Sequence, residues 1–216
     1  FQDRLDSSVK SIQEALDEKG QGDRFKVPAE ARFVGFDGYQ KAIPMADVVI
    51  LATPPGFRPI HFEEAIKQNK NVFMEKPVAV DPAGVLKVLA VAEEAKKKKL
   101  NVVSGLQRHY QSSYRALYKN KALLGDIVGG NVYWNNDGVW VKPRKEGQTE
   151  MEYQMRNWYY FNWLCGDHIN EQHIHNIDVA NWFIGSNPVS AQGMGGRQQR
   201  PEAKYGQIYD HHYVEY

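Results

Sequence analysis

The chain has one cysteine, almost no net charge and no long apolar run, and each absence removes a class of protein. One cysteine among 216 residues excludes an intrachain disulfide and leaves the redox compartment open. A formal net charge of +1 gives no reason to expect a nucleic acid or a membrane surface as a partner. No apolar run is long enough to predict a transmembrane helix, and the localisation is left open.

A strand–helix–strand pattern in the first half is the most informative segment. The apolar run Val48–Ala52 ends in Thr53-Pro54-Pro55-Gly56, and a helix is predicted from about His61 to Gln68. A second apolar strand, Asn71–Met74, ends in Glu75-Lys76-Pro77. This is a βαβ unit with buried parallel strands, and ligands of such sheets bind at the carboxyl ends of the strands. Lys76 is therefore positioned for chemistry.

The elements around this unit extend the alternation of helices and strands. Further helices are predicted over Leu5–Lys19 and Pro82–Lys98, and further strands near Arg32–Val34 and over Asn101–Ser104. Asp81 is the expected N-cap of the second of these helices. Its core face is predicted to consist of apolar residues, namely Val85, Leu86, Leu89 and Ala92. The pattern predicts a Rossmann-like, doubly wound parallel sheet.

The pattern changes after Gly105. Ile127–Asn135 alternates like an antiparallel strand, and a long loop follows it. A helix is predicted over Asn170–Phe183 with Gly185 as its C-cap, and Gln207–Tyr216 alternates like a strand. We therefore expect a partial Rossmann domain over residues 1–105 and a partial α+β domain with a mostly antiparallel sheet over residues 106–216.

Four landmarks in this order resemble the Gfo/Idh/MocA family (glucose–fructose oxidoreductase and inositol dehydrogenase). They are Ala52-Thr53-Pro54, His61, Glu75-Lys76-Pro77 and the segment Cys165–Asp178. The family usually has a glycine triplet in that last segment, then aspartate, histidine four residues on and aspartate three further. Here Glu171 stands for the first aspartate, and Cys165-Gly166-Asp167 replaces the triplet. The resemblance runs through essentially the whole chain.

The resemblance implies an enzyme that transfers a hydride between NAD or NADP and a secondary alcohol of a sugar or polyol. It implies a cofactor site formed by Thr53, Pro54, Pro55, His61, Glu75 and Lys76. It also implies that Lys76 is the catalytic cation, that His175 is the general acid/base with Glu171 behind it, and that the Lys76–Pro77 bond is cis. A homodimer or homotetramer through the C-terminal sheet is expected.

The segment around Glu171 is the second chemical centre. Glu171, His175 and Asp178 are spaced by four and three residues and should share one helix face, so that a carboxylate can orient the imidazole. His168, Glu171 and His175 can equally be read as metal ligands, but the resemblance favours metal-free hydride transfer. His173 is expected to be an interior residue.

Substrate contacts are expected from both domains: Lys76, Arg108, Trp158, Asp167, Glu171 and His175. Arg108 follows the last strand of the first domain, where the family often has a basic residue. The aromatic run at Trp158–Phe161 fits core packing and a sugar-stacking wall equally well. Which of Asp167 and Glu171 contacts the substrate is open.

A glycine-rich phosphate loop is missing from this pattern. No Gly-x-Gly-x-x-Gly precedes Asp47, so we expect an internal portion of a longer enzyme that binds NAD weakly by itself. Two other functions remain open: a glycosidase that recycles NAD in an oxidation–elimination mechanism, and a non-catalytic interaction protein. The identity of the sugar or polyol and the choice between NAD and NADP also stay open.

Overall fold

A three-stranded parallel sheet organises the first half of the chain in the computed structural model, which describes residues 1–216. The elements of this half are, in chain order, α1 (Gln2–Asp17), α2 (Gly38–Ala42), β1 (Val48–Leu51), α3 (Arg58–Lys67), β2 (Asn71–Met74), α4 (Pro82–Lys97) and β3 (Val102–Ser104). The strand order is β1-β2-β3, with Val49 opposite Val72 and Phe73 opposite Val103. The predicted βαβ unit is confirmed.

The first core lies between this sheet and helices α3 and α4. Its fully buried members include Phe62, Ala65 and Ile66 on α3 and Val72 on β2. Asp81 caps α4 as predicted, since its Oδ1 accepts a hydrogen bond from the backbone N–H of Gly84 at 2.7 Å. Along β1 the burial alternates, and Val48 and Ile50 are exposed on the other face of the sheet. Two-sided burial of this strand was therefore a wrong expectation.

Two local predictions in this half are wrong. Arg32–Val34 is not a strand: Arg32 has extended backbone, but β1 pairs only with β2, so the segment has no ladder partner. The predicted core face of α4 is also wrong, because Leu86 and Leu89 are 68% and 58% exposed. The buried residues of α4 are Val88, Val91 and Ala95. Apolar side chains surround much of this helix, so its sequence allows more than one buried face.

The second half contains short helices and a two-stranded sheet. Its elements are α5 (Ser112–Lys119), α6 (Glu150–Arg156), α7 (Asn162–Cys165), a π-helical turn (Ile169–His173), α8 (Ile174–Ile184), β4 (Gln192–Gly196) and β5 (His211–Glu215). The β4 and β5 strands are antiparallel, with Met194 opposite Tyr213. Gly185 ends α8 with a left-handed backbone (φ 86°), as expected of a C-cap glycine. The predicted fold class is confirmed.

The second core is aromatic. Its buried residues are Tyr153, Tyr159, Tyr160, Phe161, Leu164, Cys165 and Ile208. Ile127–Asn135 does not join it as a strand, which corrects the prediction: no strand pairs with this segment, and Val128 is 99% exposed. Alternating side chains favour a strand but cannot supply the partner that completes its hydrogen bonds. The two cores lie on either side of the division expected near Gly105.

The two halves touch where the loop after β1 meets α7. A Cβ at Gly56 would lie 2.2 Å from the carbonyl oxygen of Trp163, so only glycine fits at this approach. Phe57, the next residue, packs against the aromatic core. None of the helices has both the length and the apolar character that a bilayer-crossing segment needs. The contact brings the carboxyl ends of the parallel strands towards the second half.

Candidate active site

The carboxyl ends of β1, β2 and β3 form one edge that carries the sequence-predicted site. Glu75 donates its backbone N–H to the carbonyl of Leu51, and Gly105 donates to the carbonyl of Met74. A Cβ at Gly105 would lie 2.6 Å from Glu75 Oε2, so a glycine lets the end of β3 approach this carboxylate. The Lys76–Pro77 peptide bond that follows Glu75 is cis, as predicted.

A buried arginine joins two of these strand ends, and sequence reasoning missed it. Arg58 is 1% exposed; its Nη1 donates to the Leu51 carbonyl at 2.7 Å and its Nε to the Pro77 carbonyl at 3.3 Å. Burial lowers the pKa of Arg58 to about 10, against the attraction of Glu75 and Glu171, so the guanidinium keeps its charge at neutral pH. Arg58 therefore links the loop that carries Lys76 to the end of β1.

Replacing Arg58 by methionine is expected to lower the free energy of unfolding by about 2–4 kcal/mol, because two buried charge-assisted hydrogen bonds are lost. Urea denaturation followed by circular dichroism measures the change. Arg32 is a matched control, since its guanidinium also donates two hydrogen bonds to main-chain carbonyl oxygen, both to Val27, but the bonds are solvent-exposed. Arg32→Met should cost less than about 1 kcal/mol. Equal losses in both variants would contradict the role given to Arg58.

Lys76 reaches from the first half of the chain to a residue of the second half. Its Nζ lies 2.6 Å from Glu171 Oε1 and also donates to the main-chain carbonyl of Glu171. The two side chains are 12% and 7% exposed, so this is a buried ion pair. Burial raises the pKa of Glu171, and the charge of Lys76 acts in the opposite direction. The predicted catalytic residues Lys76 and Glu171 are therefore in direct contact.

No hydrogen bond joins His175 to Glu171, although a carboxylate that orients the imidazole was expected. Glu171 Oε1 bonds to Lys76, and both Glu171 Oε2 and His175 Nδ1 are buried without a partner. Glu171 lies in the π-helical turn Ile169–His173, and the Lys76 ammonium engages its carboxylate instead. The expectation that Glu171 orients the His175 ring is wrong for this arrangement.

A cavity of about 500 Å³ adjoins Lys76 and His175. It is lined by side chains from the ends of β2 and β3 and from α8: Phe73, Glu75, Lys76, Ser104, Gly105, Gln107, Tyr110 and His175. The ring of Trp134 stacks on that of His175 with 5.7 Å between centroids. Burial, together with the charges of Lys76 and Arg108, lowers the pKa of His175 to about 4. The imidazole is therefore neutral near pH 7 and can accept a proton.

The polar atoms at this cavity fit a polar ligand. Ser104 Oγ and His175 Nδ1 are buried and have no hydrogen-bond partner, and both residues line the cavity. Buried polar groups without partners are rare in folded proteins and need an explanation. The carboxyl edge of a parallel sheet is also where nucleotides bind in doubly wound folds. The residues present are thus compatible with a nicotinamide riboside group.

His61 supports the loop after β1. Its Nδ1 lies 3.1 Å from Thr53 Oγ1, and its ring packs on that of Tyr39 at 4.4 Å between centroids. His61 is buried, whereas Thr53 is exposed and Pro55 is buried. Thr53, one of the predicted cofactor residues, is therefore accessible to a ligand. The contact with the buried His61 fixes the position of its side chain.

The unfolding free energy should fall as the pH drops below about 6.5, and His61 should contribute to the fall. Burial, with the charge of Arg58, lowers the pKa of His61 to about 4. Between that value and the ordinary pKa of about 6.5, the unfolded chain binds more protons than the folded one, so acid favours unfolding. Above pH 6.5 the contribution is fully retained.

The variant His61→Asn, whose amide can still bond Thr53, removes this titration. Its melting temperature should fall less than that of the natural protein between pH 7 and pH 5 in thermal scans. Parallel pH curves for the two proteins would show that His61 does not contribute.

The other predicted substrate residues lie at varying distances from the cavity. Arg108 donates to the Tyr114 hydroxyl at 2.6 Å and leaves its buried Nε without a partner. Trp158 packs on Trp140 and the aromatic core and does not line the cavity. Asp167 accepts the N–H of Tyr209 at 3.0 Å and does not line the cavity. Asp178, the third residue of the expected face, pairs instead with His109 at 2.8 Å, a partnership that no local signal indicated.

Comparison with known proteins gives a consistent result. Residues 8–104 match the GFO_IDH_MocA family model, described as an oxidoreductase family with an NAD-binding Rossmann fold. An inositol 2-dehydrogenase of Ralstonia nicotianae is 31% identical over 147 residues, or 66% of this chain and 37% of that protein. The chain thus spans well under half the length of this relative, and 40% of an uncharacterized oxidoreductase of Streptococcus pneumoniae.

Solved structures show the same fold. Myo-inositol 2-dehydrogenase from Lactobacillus plantarum superposes with a TM-score of 0.60 at 22% identity, over 84% of this chain and 50% of that one. GenD2 from gentamicin A biosynthesis, solved in complex with NAD, superposes with a TM-score of 0.58 at 15% identity, over 84% of this chain and 47% of that one.

Proposed function

We propose that this chain, which belongs to the Gfo/Idh/MocA oxidoreductase family, carries the hydride-transfer site of an NAD(P)-dependent dehydrogenase acting on a secondary alcohol of a sugar or polyol. The observation that carries the proposal is the convergence of Lys76 and His175 on one cavity at the carboxyl edge of the parallel sheet. A cation and a neutral base beside one cavity are the two groups that alcohol oxidation requires. The inositol dehydrogenases among the relatives support the substrate class.

Three side chains, those of His175, Lys76 and Glu171, would act in the proposed reaction. His175, neutral because its pKa is lowered to about 4, accepts the proton of the substrate hydroxyl. The Lys76 ammonium, which belongs to a residue lining the same cavity, stabilises the negative charge that develops on that oxygen. Glu171 holds the ammonium in place through the 2.6 Å ion pair. It is therefore a positioning residue, and it also balances the buried charge.

The nicotinamide cofactor, when bound, supplies the hydride acceptor. Thr53, Pro54 and Pro55 after β1 and Glu75 after β2 would contact its ribose and ring, with His61 holding Thr53 by the 3.1 Å contact. Ser104 offers a buried hydroxyl without a partner to the same ligand. All of these residues lie at strand ends or are bonded to residues that do, which is the general position of nucleotide sites in this fold.

The test uses the full-length protein. NAD and NADP are first titrated by calorimetry, and the protein is then incubated with each cofactor and a panel of inositols and pyranoses while NADH absorbance is followed. Cofactor binding with substrate-dependent accumulation of NADH or NADPH is the expected result. Release of sugar from a glycoside without net NADH would replace the dehydrogenase by a recycling glycosidase. Absence of cofactor binding would overturn both enzymatic functions.

We also propose that the protein is a homodimer or homotetramer that associates through the C-terminal sheet. Met194 on β4 and Tyr213 on β5 face each other across the ladder and are 74% and 64% exposed. Exposed apolar side chains side by side are typical of an association surface. Sedimentation velocity of the full-length protein should give a mass at least twice that of one chain, and a monomer would contradict the proposal.

A further inference from the structure

A histidine cluster lies near the candidate active site, since Trp134 both lines the cavity of the cluster and stacks on His175. Asp167, His168 and His212 each offer one ligand atom, and these three atoms lie within 4.8 Å of one another. His212 Nε2 is 3.4 Å from Asp167 Oδ1. Two ligands of a tetrahedral ion with metal–ligand distances of about 2.0–2.1 Å lie roughly 3.4 Å apart. The Asp167–His212 pair therefore already has the separation that such an ion requires.

The fold builds this cluster from two distant segments. Asp167 follows the left-handed Gly166 and is itself left-handed (φ 68°), which turns the chain sharply between α7 and the π-helical turn. Its Oδ2 accepts the backbone N–H of Tyr209 at 3.0 Å, and this bond holds the approach to β5 against the turn. His212 then follows on β5, 45 residues beyond Asp167. A left-handed non-glycine residue is uncommon and costs energy unless its surroundings stabilise it.

Two imidazole nitrogens at the cluster have no partner. His168 is only 9% exposed, and its Nε2 is buried without a hydrogen bond; His173 Nε2 is in the same state. The His168 ring lies 4.3 Å from that of His212 and 5.1 Å from that of His173, between centroids. All three rings line a polar cavity of about 570 Å³. Unpartnered imidazole nitrogens that gather at a carboxylate are the donor set that a transition metal uses.

We propose that Asp167, His168 and His212 bind one divalent transition-metal ion of the Zn²⁺ type, with the buried, unpartnered His173 Nε2 as the candidate fourth ligand. Two imidazoles and one carboxylate suit Zn²⁺, whereas Mg²⁺ and Ca²⁺ prefer oxygen ligands. This differs from the metal-free chemistry that the sequence favoured, and it shares only His168 with the ligand set His168, Glu171 and His175 considered there. The ion lies outside the cavity of Lys76.

The proposed ion would act by positioning. Two of its ligands, Asp167 and His168, directly precede the π-helical turn that carries Glu171, and the third comes from β5. Trp134 lines the cavity of the cluster and also stacks on His175. A bound ion would therefore hold the start of the turn against the C-terminal sheet and restrain the residues that contact Lys76 and His175.

The experiment measures zinc binding and does not depend on enzyme activity. Full-length protein is stripped with a chelator, titrated with ZnSO₄ alone by calorimetry, and analysed for zinc after dialysis. His212→Ala and Asp167→Asn remove ligands; the asparagine keeps an oxygen for the Tyr209 N–H, so that variant should remain folded. His109→Ala is the matched control, because His109 pairs with Asp178 and does not line the cavity of the cluster.

One zinc per chain is expected in the natural protein and in His109→Ala, with a melting temperature that rises on zinc addition. Both ligand variants should bind zinc roughly 100-fold more weakly, since changes even outside the ligand set cost 10–100-fold. Failure of the natural protein to bind zinc, or equal binding by the folded Asp167→Asn variant, would overturn the site. Neither readout needs NAD or substrate, so the result is independent of the proposed dehydrogenase activity.

Discussion

Replacing Lys76 by methionine is expected to lower kcat about 10²-fold or more at saturating cofactor and alcohol. The reason is that the ammonium charge acts mainly on the oxygen that becomes negative in the transition state, so its loss affects rate more than binding. Steady-state NADH formation by the full-length enzyme measures the effect. Near-natural activity would remove the lysine from the mechanism.

The ion pair with Glu171 requires a folding control for this variant. Removing one partner of a buried pair leaves an uncompensated charge, which commonly costs about 3–5 kcal/mol. In Lys76→Met/Glu171→Gln the remaining charge is gone as well, so we expect this double variant to recover most of the lost melting temperature and to stay inactive. Lys97→Met is the matched surface control, because Lys97 is exposed at the end of α4 and should leave both properties unchanged. Recovery of activity in the double variant would show that the single variant failed through folding.

Replacing His175 by glutamine is expected to lower kcat/KM about 10²- to 10⁴-fold, which is the range for loss of a general base. Glutamine keeps a polar group of similar size, but its amide cannot act as the base that takes the substrate proton. Because the pKa of His175 is lowered to about 4, the natural enzyme should keep its activity as the pH falls from 7 towards 5, provided it stays folded. The activity should fall on the acid side of the pH profile with a midpoint near pH 4.

The pH dependence of activity distinguishes a catalytic role of His175 from a structural one. The residual activity of His175→Gln should rise with hydroxide concentration, since solvent then takes the place of the missing base, whereas a merely structural role predicts a profile of unchanged shape. His211→Gln, at a histidine whose ring is 56% exposed, serves as the control and should match the natural enzyme. A loss of less than tenfold in His175→Gln with an unchanged profile would assign the base to another group.

Local sequence patterns predicted the βαβ unit, the Asp81 cap and the Gly185 cap, because these depend on neighbours within a few residues. The prediction failed where a partner had to come from elsewhere. Ile127–Asn135 alternates like a strand yet finds no strand to pair with, and α4 is apolar on several sides, so packing against α3 and the sheet selected Val88, Val91 and Ala95 for its buried face. The periodicity of apolar residues predicts that a segment has a buried face. The tertiary fold determines which element packs against that face.

The sequence by itself determined that Lys76 would stand at the carboxyl edge of a Rossmann-like sheet, since strand ends and their loops are local features. Only the tertiary structure decided what these residues contact. Lys76 reaches Glu171 across 95 positions of the chain, Arg58 is buried between two strand ends, and Asp167 meets His212 across 45 positions. Glu171 bonds to Lys76 and not to His175, although the spacing of Glu171 and His175 suits one helical face. Such contacts depend on how the two halves pack, because the energy of a buried charge is set by the partners that packing places beside it.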